Sequence, residues 1–409
     1  MSDNTVQLPF RQRPAACADT ILRRCQPGSV GSLYIHIPFC SHKCHYCDFY
    51  SLVDNQGRFE TFTTRLIREL NALSPAAGPL RTLFVGGGTP TLLPTPCWER
   101  LLACLHDCFQ ISAETEFSVE CNPETADPAL FGVLVAGGVN RMSLGAQSFH
   151  RRHLATLDRV HRPESLPRAL ELARQAGIGR RSIDLIYAIP GQTLEEWRTD
   201  LQQAIDLGTD HLSCYNLTYE PRTALTARLE RGLITPTEEE LEVAMFELAG
   251  AFLQDAGFVR YEVSNYARPG QECRHNLAYW RQEQWLAAGP SASGHAGGFR
   301  WKNTPHLETY LSHEADGFSP VIDVEAPDEA RALRERIMTG LRLREGLNSA
   351  ELCAHIERTC PGRSVDFVSC ATRLRARGWL VEDESVIRLS AGGILFADGA
   401  ASELMLSLI

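Results

Sequence analysis

The 409-residue sequence predicts an α/β protein with a parallel sheet, followed by a smaller α+β unit. Two observations carry the prediction for the sheet. Six strand-like apolar runs alternate with helix-like segments, and unusual residues recur near the ends of these runs. Strands that alternate with helices form parallel sheets with right-handed crossovers. The alternation leaves open whether the sheet is an open doubly wound one or a partly closed barrel.

The predicted strands are short runs of β-branched and large apolar residues, and the predicted helices repeat apolar residues at helical spacing. The strands are SLYIHI (32–37), RTLFV (81–85), EFSVE (116–120), RMSLGA (141–146), SIDLIYAI (182–189) and HLSCYNLTY (211–219). The helices cover about 59–70, 98–109, 129–135 and 164–175. Thr193 is predicted to cap a fifth helix, with Glu196 as its capping-box partner.

Residues that could bind a ligand, namely cysteine, glycine, carboxyl and amide residues, lie at or near the C-terminal ends of these strands. In an open parallel sheet and in a parallel barrel alike, ligands bind at that edge. The sequence therefore predicts one ligand site that draws on every strand. The residues concerned are Cys40, Gly86 to Gly88, Glu120, Gln147, Asp184 and Glu220.

The chain is expected to divide into an N-terminal extension (1–30), the sheet unit (31–225), a middle segment (226–320) and a C-terminal unit (329–409). In the middle segment we expect a helix over 235–257, capped by Thr237 or Thr235, and then a strand over 261–267. Residues 268–303 are poorly periodic, and Pro320 and Pro327 bracket an expected linker. The C-terminal unit has predicted helices at 330–343 and 365–377 and a hairpin at 379–390, an order that resembles a winged helix.

Composition excludes several classes of protein. The net charge of −10 argues against a nucleic-acid partner, because binding by counterion release needs a basic surface. No apolar run approaches the roughly 20 residues of a membrane span, and the first residues lack the pattern of a secretory signal. We therefore expect a cytoplasmic protein without a membrane span.

The 14 cysteines are expected to be reduced thiols, which favours metal or redox use over a disulfide framework. Most of them are interpreted as small core residues, and Cys97, Cys104 and Cys108 among them lie in an apolar segment of helical period. These are Cys17, Cys25, Cys97, Cys104, Cys108, Cys353, Cys360 and Cys370.

Cys40, Cys44 and Cys47 form a C-x3-C-x2-C triplet directly after the first predicted strand. Three thiolates on a cubane [4Fe–4S] cluster leave one iron open, and that iron can bind the amino and carboxylate groups of S-adenosylmethionine (SAM). An electron from the cluster can then break the sulfonium bond to give an adenosyl radical. The alternative is a zinc site whose fourth ligand is His36, His42 or His45.

The triplet, with Tyr46 just before its last cysteine, resembles the radical SAM superfamily. The resemblance implies a partial (βα)6 barrel over 31–225, with a [4Fe–4S] cluster and SAM as cofactors. Further motifs resemble the oxygen-independent coproporphyrinogen III oxidase group, whose C-terminal domain is also similar to residues 329–409. These motifs are Y-x-H-x-P-F-C (34–40), GGGTP (86–90), SVECNP (118–123), LGAQSF (144–149) and DLIYAIPGQT (184–193).

The resemblance also implies a set of SAM contacts. Gly86 and Gly87 allow the backbone to approach the SAM amino and carboxylate groups closely. Glu120 is expected to bind the ribose hydroxyls, and the Arg159 guanidinium matches the SAM carboxylate. A structural role is the alternative for Gln147 and Asp184 taken alone. The full set is Tyr34, Tyr46, Gly86, Gly87, Thr89, Glu120, Gln147, Arg159 and Asp184.

Two features point to one branch of that family. The oxidases carry a fourth cysteine two residues after the third, and this position is Phe49 here. The motif H-N-x-x-Y-W (275–280) resembles the haem-chaperone branch, which implies haem contacts from His275, Tyr279 and Trp280. Residues 261–303 hold five basic and three acidic residues, a balance of 5 − 3 = +2 that suits haem propionates.

The alternative to haem binding is that His275 and Tyr279 are buried, hydrogen-bonded packing residues. Cys273 and His295 are alternative haem ligands.

The sequence therefore predicts a haem chaperone that holds haem as cargo, with the cluster and SAM as its own cofactors. We expect an acceptor haemoprotein and an electron donor as partners. A homodimer and peripheral membrane association through the acceptor are further expectations. The alternatives are oxidative decarboxylation of coproporphyrinogen III to protoporphyrinogen IX, and radical chemistry on haem itself. Enzymatic activity is left open, and no catalytic residue is assigned.

Overall fold

A computed structural model describes residues 18–314 and 317–409. Most of the extension predicted for residues 1–30, including Cys17, lies outside the described residues. The described chain begins with the short helix α1 (Ala18–Leu22), which packs Ile21 into the main core.

Six strands lie side by side in the order in which they occur along the chain, and every neighbouring pair is parallel. This confirms the prediction of a parallel α/β sheet. The strands are β1 (Val30–Ile37), β2 (Ala77–Gly87), β3 (Glu116–Cys121), β4 (Arg141–Gln147), β5 (Arg180–Tyr187) and β6 (His211–Asn216).

Helices connect the strands and cover the outer face of the sheet. Large apolar side chains such as Phe62, Trp98, Phe131 and Trp197 are fully buried between the two layers. The predicted capping box of Thr193 and Glu196 is confirmed. The helices are α2 (Phe59–Leu73), α3 (Thr95–Cys108), α4 (Pro128–Ala136), α5 (Arg151–Thr156), α6 (Ser165–Ala176), α7 (Leu194–Asp206) and α8 (Ala224–Glu230).

The sheet curves into a partial (βα)6 barrel. Alternate residues of a strand point to the same face. Here each of the six strands contributes such residues to the lining of one cavity, so the strands wrap around it. One lining residue from each strand is Tyr34, Phe84, Glu120, Ser143, Asp184 and Ser213.

Three further strands extend the sheet at its two edges. One of them runs parallel to β1, and the other two form an antiparallel pair beside β6. The ends of the sheet do not pair with each other, so the barrel stays open. The added strands are β7 (Val259–Arg260), β8 (Asn265–Ala267) and β9 (Leu286–Ala288).

The predicted cap of the long middle helix is wrong. Helix α9 runs from Glu239 to Asp255, and its N-cap residue is Glu238, which makes no side-chain cap. The hydroxyl of Thr237 donates instead to the carbonyl oxygen of Ala188 at 2.9 Å. A long-range hydrogen bond therefore uses the Thr237 hydroxyl, which the local sequence predicted as the helix cap.

The single strand predicted over 261–267 is also wrong, because the chain turns between β7 and β8. The carboxylate of Glu262 accepts hydrogen bonds from the backbone N–H of Ser264 and from the Asn265 side chain. These local bonds stabilise a turn where the apolar pattern indicated continuous extension.

The middle segment adds helices and a small antiparallel sheet. The linker expected between Pro320 and Pro327 contains a strand instead, because the Val321 and Val324 side chains pack on the main core while the backbone pairs with a neighbouring strand. The elements are α10 (Arg274–Trp280), α11 (Leu307–Ser312), β10 (Ser293–Ala296), β11 (Phe299–Asn303) and β12 (Val321–Glu325).

The C-terminal part has its own apolar core, which includes Leu333, Phe367 and Leu404. Its helices and three-stranded sheet match the predicted winged-helix-like order. The elements are α12 (Glu329–Gly340), α13 (Ser349–Thr359), α14 (Ser364–Ala376), α15 (Ala397–Leu406), β13 (Leu347–Asn348), β14 (Leu380–Asp383) and β15 (Val386–Leu389). None of the helices in the described part of the chain has the length and apolar character that crossing a bilayer requires.

Candidate radical SAM site

The three cysteines of the triplet lie on one loop above the barrel. The loop is closed at its base by parallel pairing of Phe39–Cys40 with Leu52–Val53. All three cysteines line one cavity of about 480 Å³ together with the C-terminal ends of the strands. The thiol of Cys40 lies 3.7 Å from the Thr89 hydroxyl, and that of Cys44 lies 3.7 Å from the Arg159 guanidinium.

The histidines that would complete a zinc site are engaged elsewhere. The ring nitrogens of His36 bind the Tyr34 hydroxyl and the Tyr50 carbonyl oxygen at 3.0 and 2.8 Å. His42 and His45 both contact the carboxylate of Asp158, at 2.6 and 3.2 Å.

Within residues 18–314 and 317–409, no three His, Cys, Asp or Glu side chains are arranged around a single ion. A cubane cluster binds each thiolate on a different iron, so its ligands need not converge on one point. Because the three histidines contact other groups, the three thiols favour a cluster over a zinc ion.

Gly86 and Gly87 hold the side chain of Glu120 in the cavity. The backbone N–H of Gly87 donates to the Glu120 carboxylate at 3.0 Å. A Cβ atom at residue 86 would lie 2.8 Å from that carboxylate. Gly87 has a φ of +112°, and a Cβ there would lie 2.6 Å from the ring of His36. Residue 86 has room only for glycine while Glu120 keeps this position, and residue 87 requires glycine because of its positive φ and the adjacent His36 ring.

Arg159 and Gln147 meet above the backbone of Gly145. The guanidinium of Arg159 donates to the Gly145 carbonyl oxygen at 2.5 Å. A Cβ atom on Gly145 would lie 2.9 Å from the Gln147 amide nitrogen and 3.2 Å from the guanidinium. The guanidinium thus lies between the end of β4 and the Cys44 thiol. A ligand that contacts the strand end and the cysteine loop would also contact this guanidinium.

Two half-buried carboxyl groups, those of Glu120 and Asp184, face the same cavity. Burial, and then the neighbouring Asp184, raise the pKa of Glu120 to about 7. Burial also raises the pKa of Asp184, although hydrogen bonds from Ser213 and Ser143 oppose the shift. Glu120 therefore carries less negative charge at neutral pH than an exposed carboxyl group does, and both carboxyl groups can accept a hydrogen bond from a donor such as a ribose hydroxyl.

Tyr46 belongs to a small apolar cluster with Ile186 and Leu217, and all three line the cavity. The three side chains form an apolar wall beside the loop that carries the three cysteines. Such a wall suits the flat adenine ring of SAM. Ile186 and Leu217 were missed from the sequence. Their position at or after strand ends was a signal, but apolar residues there are indistinguishable from core residues without the fold.

The residues present fit a cluster and SAM, since three thiols, glycine turns, a guanidinium and an apolar wall surround one space. Cys40, Cys44 and Cys47 would hold the cluster, and the strand ends would hold SAM. When bound, this pair supplies the adenosyl radical chemistry described above. Every predicted SAM residue except Gly86 lines the cavity, and Gly86 lies beneath it against Glu120.

A second cavity of about 510 Å³ fills the barrel below the first. The two cavities share lining residues, including Tyr34, Glu120 and Asp184, so they are adjoining chambers. Phe49 lines both of them and is 66% exposed. The residue that replaces the oxidases' fourth cysteine therefore lies where the chambers join.

His275 lies deep in the barrel, 2% exposed, and both of its ring nitrogens are hydrogen-bonded. Nδ1 contacts the Thr82 hydroxyl at 2.8 Å and Nε2 contacts the Tyr279 hydroxyl at 2.9 Å. Burial lowers the pKa of His275 to about 3, so the ring is neutral. The described conformation thus matches the packing interpretation, and an iron atom would have to displace one of these hydroxyls.

The other predicted haem contacts lie beside an outer groove that adjoins the barrel cavity. Tyr279 lines both spaces, whereas Trp280 lines the outer groove. Of the alternative ligands, Cys273 is buried, and burial raises the pKa of its thiol to about 12. His295 uses Nδ1 in a contact with the Glu283 carbonyl oxygen at 3.0 Å.

Comparison with known proteins agrees with this geometry. The profile of the Radical SAM superfamily matches residues 34–204. A solved structure of coproporphyrinogen III oxidase (HemN) from Escherichia coli, a radical SAM enzyme, has a TM-score of 0.82 over 94% of this chain and 93% of that one, at 24% identity. Fold and site together define a radical SAM protein.

Sequence relatives narrow the class. The chain is 38% identical over 375 residues to heme chaperone HemW of Mycobacterium tuberculosis (strain ATCC 25618 / H37Rv), covering 90% of this chain and 96% of that protein. It is 32% identical over 372 residues to heme chaperone HemW of Bacillus subtilis (strain 168), covering 90% and 97%. The chain belongs to the HemW family.

Proposed function

We propose that this protein is a cytoplasmic haem chaperone, which binds haem and passes it to an acceptor haemoprotein. The observation that carries the proposal is the similarity to HemW proteins over nine-tenths of the chain. Phe49 in place of a fourth cysteine supports it, as does the cavity that His275 and Tyr279 line. The cluster and SAM accompany this role as resident cofactors.

The barrel cavity offers a porphyrin flat apolar contact. The Phe84 ring stacks on His275 with centroids 5.3 Å apart, and the Tyr34 ring lies 6.4 Å from it. Haem ligation by His275 Nε2 requires that the Tyr279 hydroxyl give up its hydrogen bond. That bond therefore competes directly with the iron.

The competition gives a paired test. His275→Ala should lower haem affinity and slow haem transfer to an apo-acceptor. Tyr279→Phe should keep or raise affinity, because it frees Nε2 without removing the ring. His106→Ala is the matched control, since His106 contacts Gly137 on the outer helices. Equal haem affinity in all four proteins would remove His275 from the haem site.

Several partners follow from the proposal. The cluster needs an electron donor, and the cargo needs an acceptor haemoprotein, through which the chaperone would associate peripherally with a membrane. A homodimer would be tested by sedimentation of the reconstituted protein. The net charge of −10 weighs against nucleic acid.

A second candidate is oxidative decarboxylation of coproporphyrinogen III. The specific observation in its favour is the set of SAM-site residues around one cavity on a fold shared with HemN. An anaerobic assay with SAM and a reductant tests it. Formation of vinyl product would replace the chaperone proposal with an oxidase, whatever Phe49 indicates.

A further inference from the structure

Arg141 is a buried cation on the wall of the barrel cavity, and no ion pair accounts for it among the described residues. It is the first residue of β4, is 2% exposed and lines the cavity. Its Nη1 donates to the Gln271 carbonyl oxygen at 2.9 Å. Its Nη2 is buried and has no hydrogen-bond partner within residues 18–314 and 317–409. A buried cation with an unused donor is costly unless an anion or another acceptor meets it.

Ser118 provides a second unused group beside it. Ser118 on β3 is the register partner of Arg141 on β4, and both line the cavity. The Ser118 hydroxyl is also buried without a partner among the described residues. Both residues line the cavity, and a guanidinium N–H and a hydroxyl can both donate to a carboxylate that reaches them.

The nearby acids are committed elsewhere. The Glu116 carboxylate lies 3.7 Å from the Arg180 guanidinium and accepts the backbone N–H of His275 at 3.0 Å. Asp184 accepts hydrogen bonds from the Ser143 hydroxyl at 3.0 and 3.1 Å. Neither makes an ion pair with Arg141 in the described parts of the chain.

We propose that the barrel cavity binds an organic ligand by its carboxylate, which the Arg141 guanidinium and the Ser118 hydroxyl hold at the cavity wall. The aromatic rings of Tyr34, Phe84 and Tyr279 line the same cavity and suit a flat, conjugated body. Along β4, Gly145 lies about 13 Å from Arg141, and the predicted SAM contacts Arg159 and Gln147 meet over Gly145. A ligand that reaches both ends is therefore extended, and a porphyrin propionate is one source of such a carboxylate. The porphyrin form of the inference rests on the proposed haem cargo, whereas the carboxylate site itself does not.

The test compares binding of protoporphyrin IX and its dimethyl ester to the full chain, wild type and Arg141→Gln. Wild type should prefer the free acid by about 10- to 100-fold, the usual effect of hydrogen bonds to a charged group. Arg141→Gln should lose this preference and keep its fold, because the change removes a buried charge. Ser118→Ala should reduce the preference partly. Arg168→Gln, an exposed arginine on α6, is the matched control.

A third arm uses benzoate to separate the two carboxylate sources. If benzoate raises the unfolding temperature of wild type but not of Arg141→Gln, and the porphyrin acid has no advantage, the site takes small carboxylates and the proposal stands. If wild type and Arg141→Gln respond alike to both probes, the proposal is overturned. Loss of haem transfer with an intact acid preference would contradict only the chaperone role.

Discussion

The carboxylate of Glu120 accepts the backbone N–H of Gly87 at 3.0 Å, and the space it occupies exists because residue 86 has no side chain. This contact joins the ends of two neighbouring strands directly beneath the cysteine loop. The glycine-rich turn therefore positions the Glu120 carboxylate. The contact and the side chains around it lead to specific expectations for SAM binding, stability and metal content.

Gly86→Ala should weaken SAM binding while leaving the fold intact. The new Cβ would lie 2.8 Å from the Glu120 carboxylate and 2.9 Å from the Phe84 ring, so both side chains must shift and Glu120 leaves its position in the cavity. We expect a loss of about 10-fold or more in SAM affinity, measured by calorimetry on the reconstituted protein. Gly132→Ala on α4 is the control, since its Cβ would meet nothing within 4 Å. Equal SAM affinity in both variants would contradict the role of Gly86.

SAM affinity should fall as the pH drops below about 7, because ribose hydroxyls donate best to ionised Glu120. Below its pKa the affinity should decrease about tenfold per pH unit. Glu120→Gln should bind SAM weakly and without this pH dependence. A wild-type affinity that stays constant between pH 5.5 and 8 would argue against ribose contact by Glu120.

The same group predicts a stability effect in the cluster-free protein. Its pKa is raised in the folded state, from 4.5 to about 7, so its stabilising contribution is full below 4.5 and is lost as the pH rises to 7. Glu120→Gln should therefore be more stable than wild type above pH 7, by up to about 3 kcal/mol in urea unfolding. The difference should vanish near pH 4.5. A difference of the opposite sign would mean that the ionised carboxylate is stabilised in the fold.

Arg159→Lys should lose most SAM affinity although the charge is kept. The guanidinium reaches the Gly145 carbonyl oxygen and the Cys44 thiol together, and a single ammonium cannot reproduce that fork. We expect a decrease of about 10- to 100-fold, with cluster content unchanged. Arg151→Lys, on the exposed side of α5, is the control. Retained affinity in Arg159→Lys would show that only charge matters there.

His42→Ala and His45→Ala should keep the iron and sulfide content of wild type, because both rings contact Asp158 rather than a metal site. Cys44→Ala should lose the cluster. Metal analysis after anaerobic reconstitution distinguishes the variants. Loss of metal from a histidine variant, with one metal ion per chain in wild type, would favour the zinc alternative.

Features encoded locally could be predicted from the sequence. The six strands and the capping box of Thr193 follow from periodicity and from residues three apart, and the cysteine spacing indicated its own chemistry. Because parallel strands end at one edge, the residues at the six strand ends could be assigned to one site from their positions along the chain.

Features that depend on distant contacts could not be predicted. The Thr237 hydroxyl donates to the Ala188 carbonyl oxygen and does not cap the helix that follows it. The turn that Glu262 stabilises replaces the predicted strand. The burial of His275 with both nitrogens engaged depends on Thr82, which lies 193 residues earlier in the chain. The unpaired Nη2 of Arg141 likewise could not be predicted, because only the fold shows that no acidic side chain among the described residues is placed to pair with it.

The central claim is that Cys40, Cys44 and Cys47 hold a cluster with one open iron. The most direct measurement is the iron and acid-labile sulfide content of the anaerobically reconstituted chain. We predict about four iron and four sulfide per chain, with Cys44→Ala near zero. One non-iron metal per chain without sulfide would contradict the account.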